Sequence, residues 1–300
     1  MREDQRVPRF TPPTPRSRRL GRELRKLRET HSLTQADAAK LLRCSQQRIA
    51  RIESGDIKPR SRDVLEILVA YGVPHDEELG LSLRAMADDL REAGWWQRLN
   101  TLPTRYVTFI AYEAEATELR QFQPTLIPGL VQTRAYAQEV IRVGRETEEE
   151  MITQRVEARL KRQEVLTERQ PPLRLHLIIT EQALMLEVGS AEVMSEQLDH
   201  LVKMAALPNI TVQVLTLAAG AHLAVHGGFE VLTFDQADPP LGYIETLAGE
   251  LFLESPEEIR RLTGVYDHLT SLALSPRESV KLIREKRDGN RQVVQVHKVR

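Results

Sequence analysis

The 300-residue sequence predicts an all-α helix-turn-helix head of four to five helices, followed by an α+β C-terminal domain. Apolar residues recur at helical spacing up to about residue 73, whereas β-branched and alternating apolar runs are interspersed with helical patterns after residue 105. The charge also changes sign along the chain. Residues 1–73 hold 17 Lys/Arg and 9 Asp/Glu, and the remaining residues hold 25 and 34. The two parts are therefore expected to have different partners.

Composition is that of an ordinary globular protein. Hydrophobic residues make up 41% of the chain and charged residues 28%, and the formal net charge is −1. No run approaches the roughly 18 apolar residues of a membrane span, and the first residues lack the apolar segment of a signal peptide. The single cysteine, Cys44, can form no internal disulfide, which fits a reducing compartment. We predict a cytoplasmic protein without a membrane partner.

The chain can be divided where its composition changes. Residues 1–17 predict a disordered basic arm, because they combine several prolines with several arginines. The helix-turn-helix domain is predicted over 18–75, a helical connector over 76–104, the α+β domain over 105–287 and a polar tail over 288–300. The first helix of the head is expected to be capped by Ser17.

The segment 33–55 predicts two short helices joined by a tight turn. Thr34 and Asp37 have the spacing of a capping box, which starts the first of these helices. Ser45 is suited to cap the second helix, and Gly55 is suited to end it in a left-handed conformation. Caps, turn length and apolar spacing agree, which favours this structure over an unspecialised helical hairpin.

The second of these helices carries side chains suited to reading DNA. Ile49 and Ile52 are expected to face the core, which leaves Gln46, Gln47 and Arg51 on the outer side. Glutamine can bond to N6 and N7 of adenine, and arginine to O6 and N7 of guanine, so we predict that these three residues contact bases. The N-terminal arm either follows the DNA phosphates or enters the minor groove, or, as we favour, makes no specific contact. Contacts with the DNA backbone are predicted for Gln35, Ser45, Arg48, Lys58 and Arg60.

The head resembles the helix-turn-helix domain of the XRE/lambda-repressor family over residues 20–73. The resemblance rests on Thr34, Gln35 and Ala39, on the capped third helix and on its I-x-x-x-E-S/N-G ending. Arg43 departs from the family, which often has a glycine in this turn. A left-handed arginine costs about 1 kcal/mol, which a packed domain can absorb.

The C-terminal part mixes helical and strand patterns. Helices are predicted over residues 109–119, 147–166, 191–206, 256–274 and 276–285. Strands are predicted over residues 173–179, 210–215, 229–234 and 241–247. No internal repeat is evident, so this part is predicted to be one α+β domain.

Short motifs lie at residues 113–116, 122–137, 158–163, 180–184, 197–201, 208–214, 228–229 and 272–279. These motifs resemble the domain of unknown function that follows the helix-turn-helix in toxin–antitoxin-like regulators of actinobacterial type. The resemblance covers about residues 18–285 when the head is included. It implies a transcription regulator, antitoxin-like, that pairs with a small basic partner protein.

Two classes of function are compatible with the sequence. The favoured prediction is a DNA-binding transcription regulator whose acidic part dimerises and senses a partner or ligand. A homodimer would bind an inverted repeat in double-stranded DNA, because one recognition helix reads only a few base pairs. The alternative is a hydrolase-like or nucleotide-modifying enzyme that a DNA-binding head localises.

No motif for catalysis or for a cofactor supports the enzyme, and we predict neither a cofactor nor a metal. His222 and His226 have the spacing of helical zinc ligands, but the two glycines that follow His226 place it at the edge of a strand. A ligand or partner region is predicted where aromatic, proline, glycine and histidine residues cluster in the sequence. Its residues are Trp95, Trp96, Pro128, Gly129, His222, His226 and Phe229.

Overall fold

A computed structural model describes residues 13–90, 96, 102–144, 148–235 and 238–299. The chain forms two compact units, residues 1–115 and residues 116–300. The first unit is helical and the second contains a mixed sheet with helices, so the predicted fold class is confirmed. The boundary at residue 115 lies later than the predicted one at 105, because the helix that precedes it belongs to the first unit.

The first unit contains six helices among its described residues. They are α1 (Pro15–Thr30), α2 (Gln35–Leu41), α3 (Gln46–Glu53), α4 (Ser61–Tyr71), α5 (Glu78–Asp89) and α6 (Thr104–Glu115). Helix α5 lies within the predicted connector over 76–104, and residues 91–95 and 97–101 of that connector fall outside the described residues.

The first helix begins earlier than the sequence predicted, and its cap is Thr14. The Thr14 hydroxyl accepts from the backbone N–H of Ser17, and the Ser17 hydroxyl oxygen accepts from the backbone N–H of Thr14 at 2.9 Å. Pro15 fits the first helical position, because the N–H that proline lacks would have no helical acceptor there. The prediction that Ser17 caps the helix was therefore wrong. Most of the predicted arm, residues 1–12, lies outside the described residues.

The helix pair α2 and α3 has the predicted caps and turn. Thr34 and Asp37 exchange backbone N–H to side-chain hydrogen bonds of 3.1 Å, and the Ser45 hydroxyl accepts from the N–H of Arg48. Arg43 has a φ of 51°, so this arginine adopts the left-handed conformation in the turn where the resembled family often has a glycine. Gly55 has a φ of 82° and ends α3 as predicted.

Helices α1 and α3 approach each other at Gly21. A Cβ atom added to Gly21 would lie 2.4 Å from the carbonyl oxygen of Glu53 and 2.6 Å from that of Ile52. The two backbones can pack this closely only because position 21 has no side chain. The core around the contact consists of Leu20, Leu24, Ala38, Ile49, Ile52, Val64, Leu68 and Leu83.

The second unit is built on a six-stranded mixed sheet. Its strands are β1 (Glu118–Gln123), β2 (Arg174–Thr180), β3 (Ile210–Leu215), β4 (Phe229–Thr233), β5 (Leu241–Thr246) and β6 (Gly249–Leu253). They are arranged in the order β3-β2-β1-β4-β5-β6, in which β1, β2 and β3 run parallel and the other pairs are antiparallel. The helices are α7 (Arg134–Val143), α8 (Glu149–Thr167), α9 (Glu181–Met185), α10 (Ala191–Met204), α11 (Pro256–Leu272) and α12 (Pro276–Val299).

The elements predicted for the C-terminal part differ from the structure in several places. The helix predicted over 109–119 ends at Glu115, and the central strand β1 follows it. Strand β6 was not predicted, because its short sequence carries only a weak apolar alternation. Helix α12 continues to Val299, so residues 288–299 extend a helix and do not form a separate tail.

The sheet packs one face against α11. Phe122, Ile178 and Phe229 of the sheet are buried together with Tyr266 and Leu269 of this helix. Within the described ranges, no helix combines the length and the apolar character that crossing a membrane requires.

Gly21→Ala tests the close contact between α1 and α3. The added methyl group overlaps two backbone carbonyls, so we expect the head to lose about 1–3 kcal/mol of unfolding free energy, the usual cost of overpacking. Urea denaturation of the full-length protein would measure this loss. Lys26→Ala, at an exposed position of the same helix, is the control and should change stability little. Equal stability of the two variants would contradict the described contact.

Candidate nucleic-acid interface

Helix α3 presents the three residues predicted to contact bases. Gln46, Gln47 and Arg51 are exposed, whereas Ile49 and Ile52 are buried in the head. Gln47 and Arg51 are four residues apart, so they lie on one side of the helix. The structure therefore places these polar side chains on a solvent-facing surface opposite the buried stripe.

The residues predicted to contact the DNA backbone fall into two groups. Ser45, Arg48 and Arg60 are exposed, and Ser45 lies at the N-terminus of α3, where a helix favours an anion. Gln35 and Lys58 are only partly exposed. The Gln35 side-chain amide donates to Glu53 Oε2 at 2.9 Å, so it already has a partner within the head.

Lys58 lies between α3 and α4 and is partly withdrawn from solvent. Burial lowers the pKa of its ammonium group, and the negative charge of Glu115 opposes this shift. Lys58 thus differs from the exposed Arg60 two residues later, although the sequence assigned both the same role. Whether either contacts a phosphate stays a prediction.

A buried ion pair fixes α3 against the rest of the head. Arg28 Nε and Nη2 donate to the two carboxylate oxygens of Glu53 at 2.6 and 3.0 Å, and Arg28 Nη1 donates to the carbonyl of Leu33 at 2.7 Å. Arg28 and Glu53 are 6% and 8% exposed. The hydrogen bond with Glu53 raises the pKa of the Arg28 guanidinium. Burial, with the Glu53 charge, raises the pKa of the nearby Tyr71 to about 12.

Sequence reasoning did not identify this ion pair. Arg28 lies in the last turn of α1, four residues after the buried Leu24, so its helical spacing places it on the apolar side. An arginine at such a position signals a buried partner, because burying an unpaired charge is costly. The sequence does not show which of several carboxylates is that partner.

The predicted ligand stretch at Pro128 and Gly129 is part of an internal hydrogen-bond network. Gln163 donates from Nε2 to the carbonyl of Gly129 at 2.8 Å, and Gln197 donates from Nε2 to the carbonyl of Val131 at 2.7 Å. Gln197 is fully buried. These contacts hold the 3-10 turn that follows Pro128, so they give the stretch a structural role.

The other residues of the predicted ligand region have different environments. Phe229 is 5% exposed and belongs to the core, whereas His226 is exposed. The His222 ring packs edge-on against Phe122 at 5.5 Å, and partial burial lowers the pKa of its imidazole. Trp96 is half-buried, and Trp95 lies outside the described residues. In the described part of the chain, no group of three or more His, Cys, Asp or Glu residues is arranged to hold a metal.

Comparison with known families agrees with this geometry. A model of a helix-turn-helix domain matches residues 19–79, so the first unit carries the domain of helix-turn-helix regulators. A second model, described as a domain of unknown function (DUF5753), matches residues 106–285. Because this match covers more than half of the chain, the protein belongs to the DUF5753 family. No curated protein and no solved structure matches the chain.

Glu53→Ala tests how far the head depends on the buried ion pair. The change leaves Arg28 charged and buried without its carboxylate, which typically costs about 3–5 kcal/mol of unfolding free energy. Thermal and urea denaturation would measure the loss. Arg25→Ala removes an exposed pair with Glu29 from the same helix and should have little effect. Comparable losses in both variants would show that the buried pair has no special importance.

Proposed function

We propose that the protein is a sequence-specific DNA-binding transcription regulator. The observation that carries this proposal is helix α3, which exposes Gln46, Gln47 and Arg51 while a buried ion pair fixes its other end. The exposed glutamines at the start of α3 and the arginine one turn further along can form paired hydrogen bonds with base edges in the major groove. Ser45, Arg48 and Arg60 then fix the register through phosphate contacts.

Two copies of the head would bind an inverted repeat. One α3 helix reads only a few base pairs, and two-fold pairing places the second copy about 34–36 Å away, one turn along the duplex. The homodimer is part of the proposal, and light scattering of the full-length protein tests it. A monomer at micromolar concentration together with a footprint of one half-site would contradict it.

The DUF5753 domain has a regulatory role in this proposal and no catalytic one. Residues 116–300 hold 26 Asp/Glu and 21 Lys/Arg, so a small basic protein is the favoured partner. The antitoxin-like classification and XRE membership follow from the sequence resemblance, and the cytoplasmic location follows from the composition; all three belong to the same proposal. A partner that binds the domain can alter DNA affinity only if it prefers one arrangement of the protein.

Arg51→Ala and Arg60→Ala should impair DNA binding in different ways. Loss of Arg51 should cost about 1–3 kcal/mol at the preferred site and relax the preference at one base pair. Loss of Arg60 should weaken binding to all sequences alike. It should also reduce the slope of log affinity against log salt concentration by about one. In vitro selection from random duplexes, followed by anisotropy titrations at several salt concentrations, measures both effects. An unchanged consensus for Arg51→Ala would overturn the base-contact assignment.

A further inference from the structure

The last residue of α6 contacts the start of α1 within the first unit. Glu115 Oε2 accepts from the backbone N–H of Arg16 at 3.0 Å and lies 3.9 Å from Arg16 Nε. The Glu115 side chain is 12% exposed, whereas that of Arg16 is 60% exposed. The carboxylate therefore sits at the positive end of a helix, in the position that an anion would take.

A second cation belongs to the same region. Lys58 is in the loop that follows α3, and this loop touches the first turn of α1, since a Cβ atom added to Gly55 would lie 2.8 Å from the backbone nitrogen of Arg18. The negative charge of Glu115 acts on the Lys58 ammonium group. Arg18 also places its guanidinium 5.6 Å from the ring centre of Tyr112, which is a second contact of α1 with α6.

A helix N-terminus, a guanidinium group and an ammonium group are the groups with which proteins hold a DNA phosphate. In this structure the Glu115 carboxylate bonds to the helix N-terminus, lies 3.9 Å from the guanidinium nitrogen and acts electrostatically on the ammonium group. Glu115 and a phosphate group carry the same sign of charge and need the same hydrogen-bond donors. Both cannot occupy this region at the same time without strong repulsion.

We propose that Glu115 is a built-in competitor of the DNA backbone, and that a phosphate must displace it before Arg16 and Lys58 can contact the duplex. This inference rests on the proposed DNA-binding function. Glu115 lowers affinity for every DNA sequence equally, because it acts on backbone contacts and leaves Gln46, Gln47 and Arg51 untouched. It is a residue that sets affinity without setting specificity.

The position of Glu115 in the chain connects DNA affinity with the DUF5753 domain. The family match begins at residue 106, so Glu115 belongs to that match, whereas Lys58 belongs to the helix-turn-helix match and Arg16 lies in the first turn of α1. A partner that favours withdrawal of Glu115 therefore raises DNA affinity. The partner can raise DNA affinity by no more than the ratio of its own affinities for the protein with Glu115 withdrawn and with Glu115 in place.

Glu115→Gln in the full-length protein tests the proposal. We expect the variant to bind both the selected operator and a fluorescein-labelled duplex of random sequence about threefold to tenfold more tightly than wild type. The selected consensus should not change. In a protein that also carries Lys58→Ala, the Glu115→Gln change should raise affinity by at most half as much on a logarithmic scale. The reason is that Lys58 is one of the cations that the loss of the Glu115 charge releases.

Three comparisons make the result decisive. Glu78→Gln removes the same charge from an exposed position of the same unit and should leave affinity within twofold of wild type, about the scatter of exposed charge changes. Glu115→Asp keeps the charge and should bind more weakly than Glu115→Gln. Urea denaturation shows whether any variant has lost its fold.

The outcomes separate this inference from the proposed function. If wild type binds DNA and Glu115→Gln matches either wild type or Glu78→Gln, the competitor role is wrong and the regulator stands. A gain that is confined to the operator would also overturn the competitor role, since a backbone competitor affects all sequences. If wild type and every folded variant fail to bind any duplex, the proposed function itself is wrong.

Discussion

The orientation of α3, the helix that we propose reads DNA, depends on the ion pair between Arg28 and Glu53. The pair joins the last turn of α1 to the last turn of α3, and the same arginine also bonds to the carbonyl of Leu33, just before α2. One guanidinium group thus connects α1 with α3 and with the segment just before α2. Burial of both charges is costly, and the bidentate contact offsets the cost only in one arrangement. The pair therefore selects the orientation of α3, even where it adds little to net stability.

The local structure of the head could be predicted because its determinants are close in sequence. Thr34 and Asp37 are three residues apart, and Ser45 and Gly55 each act on the helix beside them. The ion pair of Arg28 could not be predicted, since its partner lies 25 residues further along the chain. Sequence patterns thus identify which side chains α3 exposes, but the contact that orients them becomes visible only in the folded head.

The missed strand β1 shows the same limit in the second unit. A central strand is usually apolar, yet β1 contains Gln121, which is 6% exposed. Its side-chain amide donates to Glu230 on the neighbouring strand β4 at 2.6 Å, across 109 residues of sequence. Glu118 is likewise paired with Arg174 of β2. Cross-strand partners bind these polar side chains. Their polarity therefore does not exclude a central strand, although it hides one from pattern analysis.

The two carboxylates of the first unit have opposite roles because their surroundings differ. Glu53 accepts from Arg28 and from Gln35 in a buried site, where no phosphate can replace it. Glu115 accepts from the backbone N–H of Arg16, whose side chain is 60% exposed, so the oxygen of another anion can compete for these donors. Exchange at Glu115 leaves the Arg28 pair intact, and α3 keeps its orientation. The strength of binding can therefore change while the base-reading surface does not.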